Sequence, residues 1–281
     1  MLKRTLVLLP CILLAFACSE GAKSTELPAI EVASQGSGSP TALAITVAKG
    51  HEEALSVELA FAAGGTVNGK DSAKSTITPL TFGIGAKVTE VTDRWVRADL
   101  EVKELAVAEA PTDAAEMTGY AHAQLRKALD KMPKLSGELV VTPTGQITKL
   151  ELGADKGLSN QQRQVLEAIR STVAQLAIPR PTQAAAPAQW ATTIGISRNG
   201  FGLSQKLEIG IEQDGVVRLS ITESPEEGKP ATPPGVYADT ITVESYQGKG
   251  TGEVRLDTAR IFPSSAYLEL TAATELSIEQ A

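Results

Sequence analysis

Alternation of apolar and polar residues constrains this chain more than any other feature. Leu55, Val57, Leu59 and Phe61 are apolar, with Ser56, Glu58 and Ala60 between them. Val96, Ala98, Leu100 and Val102 alternate with Arg97, Asp99, Glu101 and Lys103, and Val217, Leu219 and Ile221 with Arg218, Ser220 and Thr222. Ile241 and Val243 stand between Thr240, Thr242 and Glu244, and Leu268, Leu270 and Ala272 keep the same period near the end. A strand turns successive side chains to opposite faces, so a period of two with one oily set means a half-buried strand. Charges on the other set put water on that face, which is the habit of antiparallel sheets.

Turn chemistry joins these strands. Asn68-Gly69, Asn199-Gly200 and Asp214-Gly215 suit tight hairpins, whose type I′ turns need positive φ at both central positions; Thr144-Gly145 is a weaker fourth. Two stretches break the alternation with helical spacing. After Pro111, Asp113 can cap a helix carrying Met117, Ala121, Leu125, Ala128 and Met132 on one stripe and Lys127, Asp130 and Lys131 away from it, and Pro133 stops it. Ser159 and Gln162 form a capping box ahead of Val165, Leu166, Ile169, Val173 and Leu176, and this helix ends before Pro179. Residues 138–152 between the helices read as one hairpin. The expected class is α+β: a large curved antiparallel sheet of about a dozen strands, open and half-barrel-like, with both helices on its apolar face.

The first residues speak to location. Lys3 and Arg4 precede an apolar run from Leu6 to Ala17, too short to span a bilayer as a helix. A basic start, a short apolar core and small residues near a cut site mark a secretory leader, here residues 1–17. Leu14-Ala15-Phe16-Ala17-Cys18 resembles the lipobox of bacterial lipoproteins, in which the cysteine is acylated and becomes the first mature residue. That resemblance implies lipidation at Cys18, with palmitate-type acyl chains holding the protein on a membrane. The alternative is an ordinary leader cut near Ala17, with Cys18 carrying nothing. The only other cysteine is Cys11, inside the leader, so the mature chain can form no internal disulfide. Ser19 stands where enteric-type lipoproteins carry aspartate for inner-membrane retention, so the resemblance favours the outer membrane, facing the periplasm.

Residues 18–42 are small and polar and read as a lipidated flexible tether, with a root-mean-square reach of roughly 25–30 Å. Residues 43–281 then form a single β-rich domain, with Pro179 to Gln189 as a candidate sub-boundary. Pro225 to Gly235 reads as a long loop.

Site chemistry is thin. The formal net charge of −7 becomes −9 once Lys3 and Arg4 leave with the leader, which argues against nucleic acid as a partner. His51 precedes Glu52 and Glu53, but Leu55 stands where a zinc motif would carry histidine, and His122 falls on the polar flank of the first helix. Both read as surface residues. No catalytic residue, metal site or cofactor is expected, and the ligand-binding residues are unknown. Gly248-Lys249-Gly250-Thr251-Gly252 lacks Walker spacing and reads as a glycine-rich hairpin or bulge. Glu226-Glu227 reads as a solvated acidic loop, and Trp95 and Trp190 as core.

One longer pattern runs from Leu176-Ala177-Ile178-Pro179 through Trp190-Ala191-Thr192-Thr193 to Gly250-Thr251-Gly252-Glu253-Val254-Arg255-Leu256-Asp257 and Tyr267-Leu268-Glu269-Leu270. It resembles an uncharacterised family of bacterial lipoproteins, a domain of unknown function, over about the last 100 residues; that family implies no activity. The order of elements is also similar, by analogy, to lipoprotein-carrier folds. The expected function is a non-enzymatic, membrane-anchored structural or interaction module of the cell envelope, partnered by an envelope protein. The alternative is a carrier for a lipid or a lipidated protein.

Overall fold

The computed structural model describes residues 27–281 except 64–65, 68–69, 72–74, 110–115, 155–156, 199–200, 213–215, 226–240 and 279–281. The first part of the chain runs through β1 (Glu31–Ser34), β2 (Thr41–Ala42), β3 (Glu52–Ala63), β4 (Thr66–Val67), β5 (Lys70–Asp71), β6 (Ser75–Val91) and β7 (Val96–Val107). Then come α1 (Glu116–Asp130), β8 (Leu135–Val141), β9 (Ile147–Ala154) and α2 (Asn160–Leu176). The second part contains β10 (Gln183–Ala184), β11 (Ala188–Arg198), β12 (Phe201–Ile211), β13 (Val216–Pro225), β14 (Ile241–Arg255) and β15 (Ser265–Ile278).

The expected class holds: antiparallel strands in open, curved sheets, with two amphipathic helices. The strands are divided between two main sheets rather than joined in one. The first has five strands in the order β3-β6-β7-β8-β9, and the second has six in the order β1-β11-β12-β13-β14-β15. Two short ribbons, β2 with β10 and β4 with β5, complete the pairing among the described residues. The division falls in the stretch flagged from sequence near 179–189. Pro179, Pro181 and Pro187 give no N–H to a ladder, so the chain crosses from one sheet to the other there.

In the first sheet the predicted alternation is the burial pattern: Val96, Ala98 and Leu100 are buried, and Leu139, Val141 and Leu152 join them. Both helices lie on this face, α1 over β6 and β7 and α2 over β9. The capping box of α2 forms as predicted, with Ser159 Oγ accepting from Gln162 N and Gln162 Oε1 accepting from Ser159 N at 2.9 Å. Val165, Leu166, Ile169, Val173 and Leu176 are all buried. The β8–β9 turn needs Gly145, whose φ is +77° and whose Cβ would lie 2.5 Å from the Ile178 carbonyl oxygen. The turns predicted at Asn68-Gly69, Asn199-Gly200 and Asp214-Gly215, and the cap at Asp113, lie outside the described residues. The strands around the last two turns pair as hairpins require, Arg198 with Phe201 and Ile211 with Val217.

Among the described residues, no helix lies on the apolar face of the second sheet. Leu207, Ile209, Val217, Leu219, Ile221 and Val254 pack instead with Leu43, Ile178, Ala184 and Trp190. Trp190 is core, as predicted, and its indole Nε1 donates to the Pro179 carbonyl at 2.9 Å.

Residues 27–42, read from sequence as tether, contain two paired strands, one on this sheet and one in a separate ribbon. β1 pairs with β11, β2 pairs with β10, and Ala185 N donates to the Gln35 carbonyl. Backbone hydrogen bonds anchor this segment, and they leave no hydrophobic period in the sequence. Residues 18–26 lie outside the described residues.

The β14–β15 connection ties the two sheets together. It carries Ile261 and Phe262 into the core of the first sheet. Ile261 N donates to Glu53 Oε1 at 2.9 Å, Arg260 Nε faces Glu53 Oε2 at 3.3 Å, and Thr46 N donates to the Thr258 carbonyl at 2.6 Å.

Candidate functional site

Residues singled out from sequence scatter. Cys18 and Glu226-Glu227 lie outside the described residues. Neither histidine is a plain surface residue. His51 is half-buried at the head of β3, with Nε2 enclosed and unpartnered, and His122 ties α1 to the end of β7 through a 2.9 Å contact from Nε2 to the Ala108 carbonyl. Trp95, at the β6–β7 turn, is only half-buried. Among the described residues no group of three or more His, Cys, Asp or Glu is placed to share a metal ion. No described helix is long and apolar enough to cross a membrane.

The glycine-rich motif, read from sequence as a hairpin or bulge, is instead continuous paired strand, and its glycines share one face of β14. A Cβ on Gly248 would sit 2.7 Å from Glu223 Oε2, and one on Gly250 would sit 2.5 Å from the Glu269 carbonyl oxygen. A Cβ on Gly252 would strike Leu268 and lie 2.8 Å from the Tyr267 carbonyl oxygen. Side chains from β13 and β15 therefore lie directly on the β14 backbone, which only glycine permits at this spacing.

On the β13 side lies a buried polar cluster. Glu223 is fully buried, its Oε1 accepting from Gln205 Nε2 at 2.8 Å and its Oε2 from the Tyr246 hydroxyl at 2.7 Å. On the other side Leu268 and Leu270 are half-buried, while Tyr267 is 65% exposed. No strand pairs with the outer edge of β15 among the described residues.

Two further places hold enclosed polar groups. Arg180 is 2% exposed where the sheets meet; its backbone N–H donates to the Thr144 carbonyl, and Asp257 is its electrostatic partner. Burial pushes the guanidinium down to about 10, partly offset by that carboxylate. A cleft of about 310 Å³ between the helices is lined by Gln124, Lys127, Ala128, Lys131, Ser159, Gln161 and Gln162. The Gln162 amide spans it, donating to the carbonyls of Ala128 at 3.2 Å and Lys131 at 2.9 Å. Its lining is largely lysine and glutamine, whereas pockets for oily ligands are mostly apolar.

The wet faces carry ion-pair ladders. Glu138 bridges Arg97 and Lys149, and the Lys149 hydrogen bond holds its carboxyl below the usual carboxylate range. Arg218 joins Glu212 to Glu253 across β13 and β14.

Sequence reasoning passed over Glu223 and Glu53, yet both carry a signal. Glu223 keeps the parity of Val217, Leu219 and Ile221, and Glu53 that of Leu55 and Val57, so each falls on an inward position. Arg180, between two prolines, has no such period to reveal it. No family model matches the chain, and no curated protein or solved structure is similar to it.

Proposed function

We propose that this protein is a non-catalytic interaction module of the bacterial cell envelope, held on a membrane by acyl chains on Cys18. The observation that carries the reading is how the two apolar interiors are filled. The first sheet is covered by its own helices and by Ile261 and Phe262, and the second by Trp190 and the segments around Leu43 and Ile178. Among the described residues, side chains pack against both apolar faces, and this supports a partner bound at the surface: on the ion-pair ladders of the wet faces or along the edge of β15.

The anchor rests on the leader and on the placement of Cys18, and the outer membrane on Ser19. The acidic body is repelled by anionic headgroups, so the acyl chains supply the affinity, and two or more chains hold firmly where one does not.

Two measurements test this. Cys18→Ala is expected to abolish incorporation of labelled palmitate, and continued labelling would overturn the anchor. Mass spectrometry of organic extracts from protein purified without its anchor is expected to find no stoichiometric lipid. One lipid per chain would replace this reading with the carrier.

A further inference from the structure

We propose that the outer edge of β15 pairs antiparallel with β15 of a second copy of this chain, about a two-fold axis through Leu270. The proposal rests on reading the protein as an interaction module and names the partner.

Native edges are blunted by short length, lysine, proline or bulges, because an open row of N–H and C=O groups templates pairing. β15 is 14 residues long, and residues 265–278 contain no lysine, arginine, proline or glycine. Its only register shift in the β14 pairing lies between Val243 and Ser245, on the β14 side.

The occupant follows from charge. Strand pairing that keeps inner side chains beside inner side chains must centre on a residue. Centring on Glu269 sets two carboxylates directly opposite, which is destabilising. Centring on Thr271 puts Lys249 on one row with Lys249 of the second copy, because Thr271 pairs with Lys249 within the sheet. Centring on Leu268 puts Glu269 on one row with Glu253 of the second copy, because Tyr267 pairs with Glu253.

Centring on Leu270 avoids all three. Leu268 then faces Ala272 of the second copy, and Leu270 faces itself. Glu269 faces Thr271. The row across the seam reads Lys249, Thr271, then Glu269 and Thr251 of the second copy, and the two-fold axis repeats it. Lys249 and the second copy's Glu269 stand two strands apart, roughly 9–10 Å at the backbone, across a small threonine. The lysine and glutamate side chains together span that distance. Both residues are exposed, and Lys249 has no ion pair among the described residues. Glu269 accepts only a 3.3 Å hydrogen bond from the Tyr267 hydroxyl. The interface is isologous, so it closes at two copies.

Sedimentation velocity of the full chain in a non-ionic detergent reads this directly. A concentration-dependent dimer is expected. Glu269→Lys and Lys249→Glu should each weaken it about tenfold, since two attractive pairs become repulsive. The double variant K249E/E269K should restore it, and at concentrations low enough to leave every variant monomeric the melting temperatures should be unchanged, because both side chains are exposed. A monomer at every concentration would overturn the pairing, as would a dimer indifferent to either single swap or one that the double swap fails to rescue. None of these outcomes bears on bound lipid, so the interaction-module reading stands or falls separately on the extraction measurement.

Discussion

The two sheets solve the same problem with different covers. The first puts an aliphatic face under two helices, and its buried polar side chains Glu53 and Gln162 bond backbone groups of the segments that cover it. The second has no helix on its face among the described residues. It buries Thr192, Gln205 and Glu223 among its inward residues, and it packs Leu268 and Leu270 onto the bare backbone of Gly250 and Gly252. A helix brings its own satisfied backbone and a ready stripe of side chains to a sheet. Without one, a sheet must be covered by coil, whose N–H and C=O groups need partners of their own. That requirement brings in the Pro179 carbonyl under Trp190 and the strand-like pairing of residues 31–42.

The largest effect should come from attacking the first cover. Ile169 is fully buried on α2, so Ile169→Asp places an unpaired charge in the core at a cost of several kcal/mol and should unfold the first sheet in a denaturant melt. A variant as stable as the wild type would show that α2 does not hold this face.

Next is the plug between the sheets. Phe262→Ala removes a ring that is 1% exposed and should cost about 3–4 kcal/mol. The two tryptophans give each region its own probe, Trp95 in the first sheet and Trp190 in the second. Fluorescence of W95F and W190F should follow one shared transition in the parent and two separated transitions in the Phe262→Ala background. Coincident transitions in both would mean the sheets are coupled elsewhere, through Arg180 and Asp257 or through β1.

Smaller again is the packing of the second sheet. Gly248→Ala forces a methyl against Glu223 and should cost about 1–3 kcal/mol, seen by the Trp190 probe. Gly195, on β11 of the same sheet, has nothing within 4 Å of its Cβ position, so Gly195→Ala is its control. Equal costs at both glycines would mean that backbone entropy, not close approach, sets the requirement. The smallest effect is expected at Lys127, exposed on α1 at the helix cleft, where Lys127→Asp should shift stability by under about 0.5 kcal/mol.

Local signals carried much of this fold. The strands at 55–61, 96–102, 217–221 and 268–272, the capping box at Ser159, the α2 stripe and the hairpin around Gly145 are all readable because strand parity and helix periodicity are properties of neighbouring residues. Even the buried glutamates announced themselves by parity. The glycine motif was not legible as a continuous strand or as a bed for Glu223, Leu268 and Leu270, since those pairings and contacts come from other strands.

What the chain alone determined is therefore the list of elements, the face each one buries, and a leader ending at Cys18. Only the tertiary structure decided that the strands form two main sheets, that residues 31–34 add a strand to the second of them, and that Ile261 and Phe262 complete the first. These are pairings between residues up to about two hundred positions apart, such as Glu53 with Ile261. A backbone N–H looks the same in the sequence whatever carbonyl it eventually meets, so no local period can record the choice.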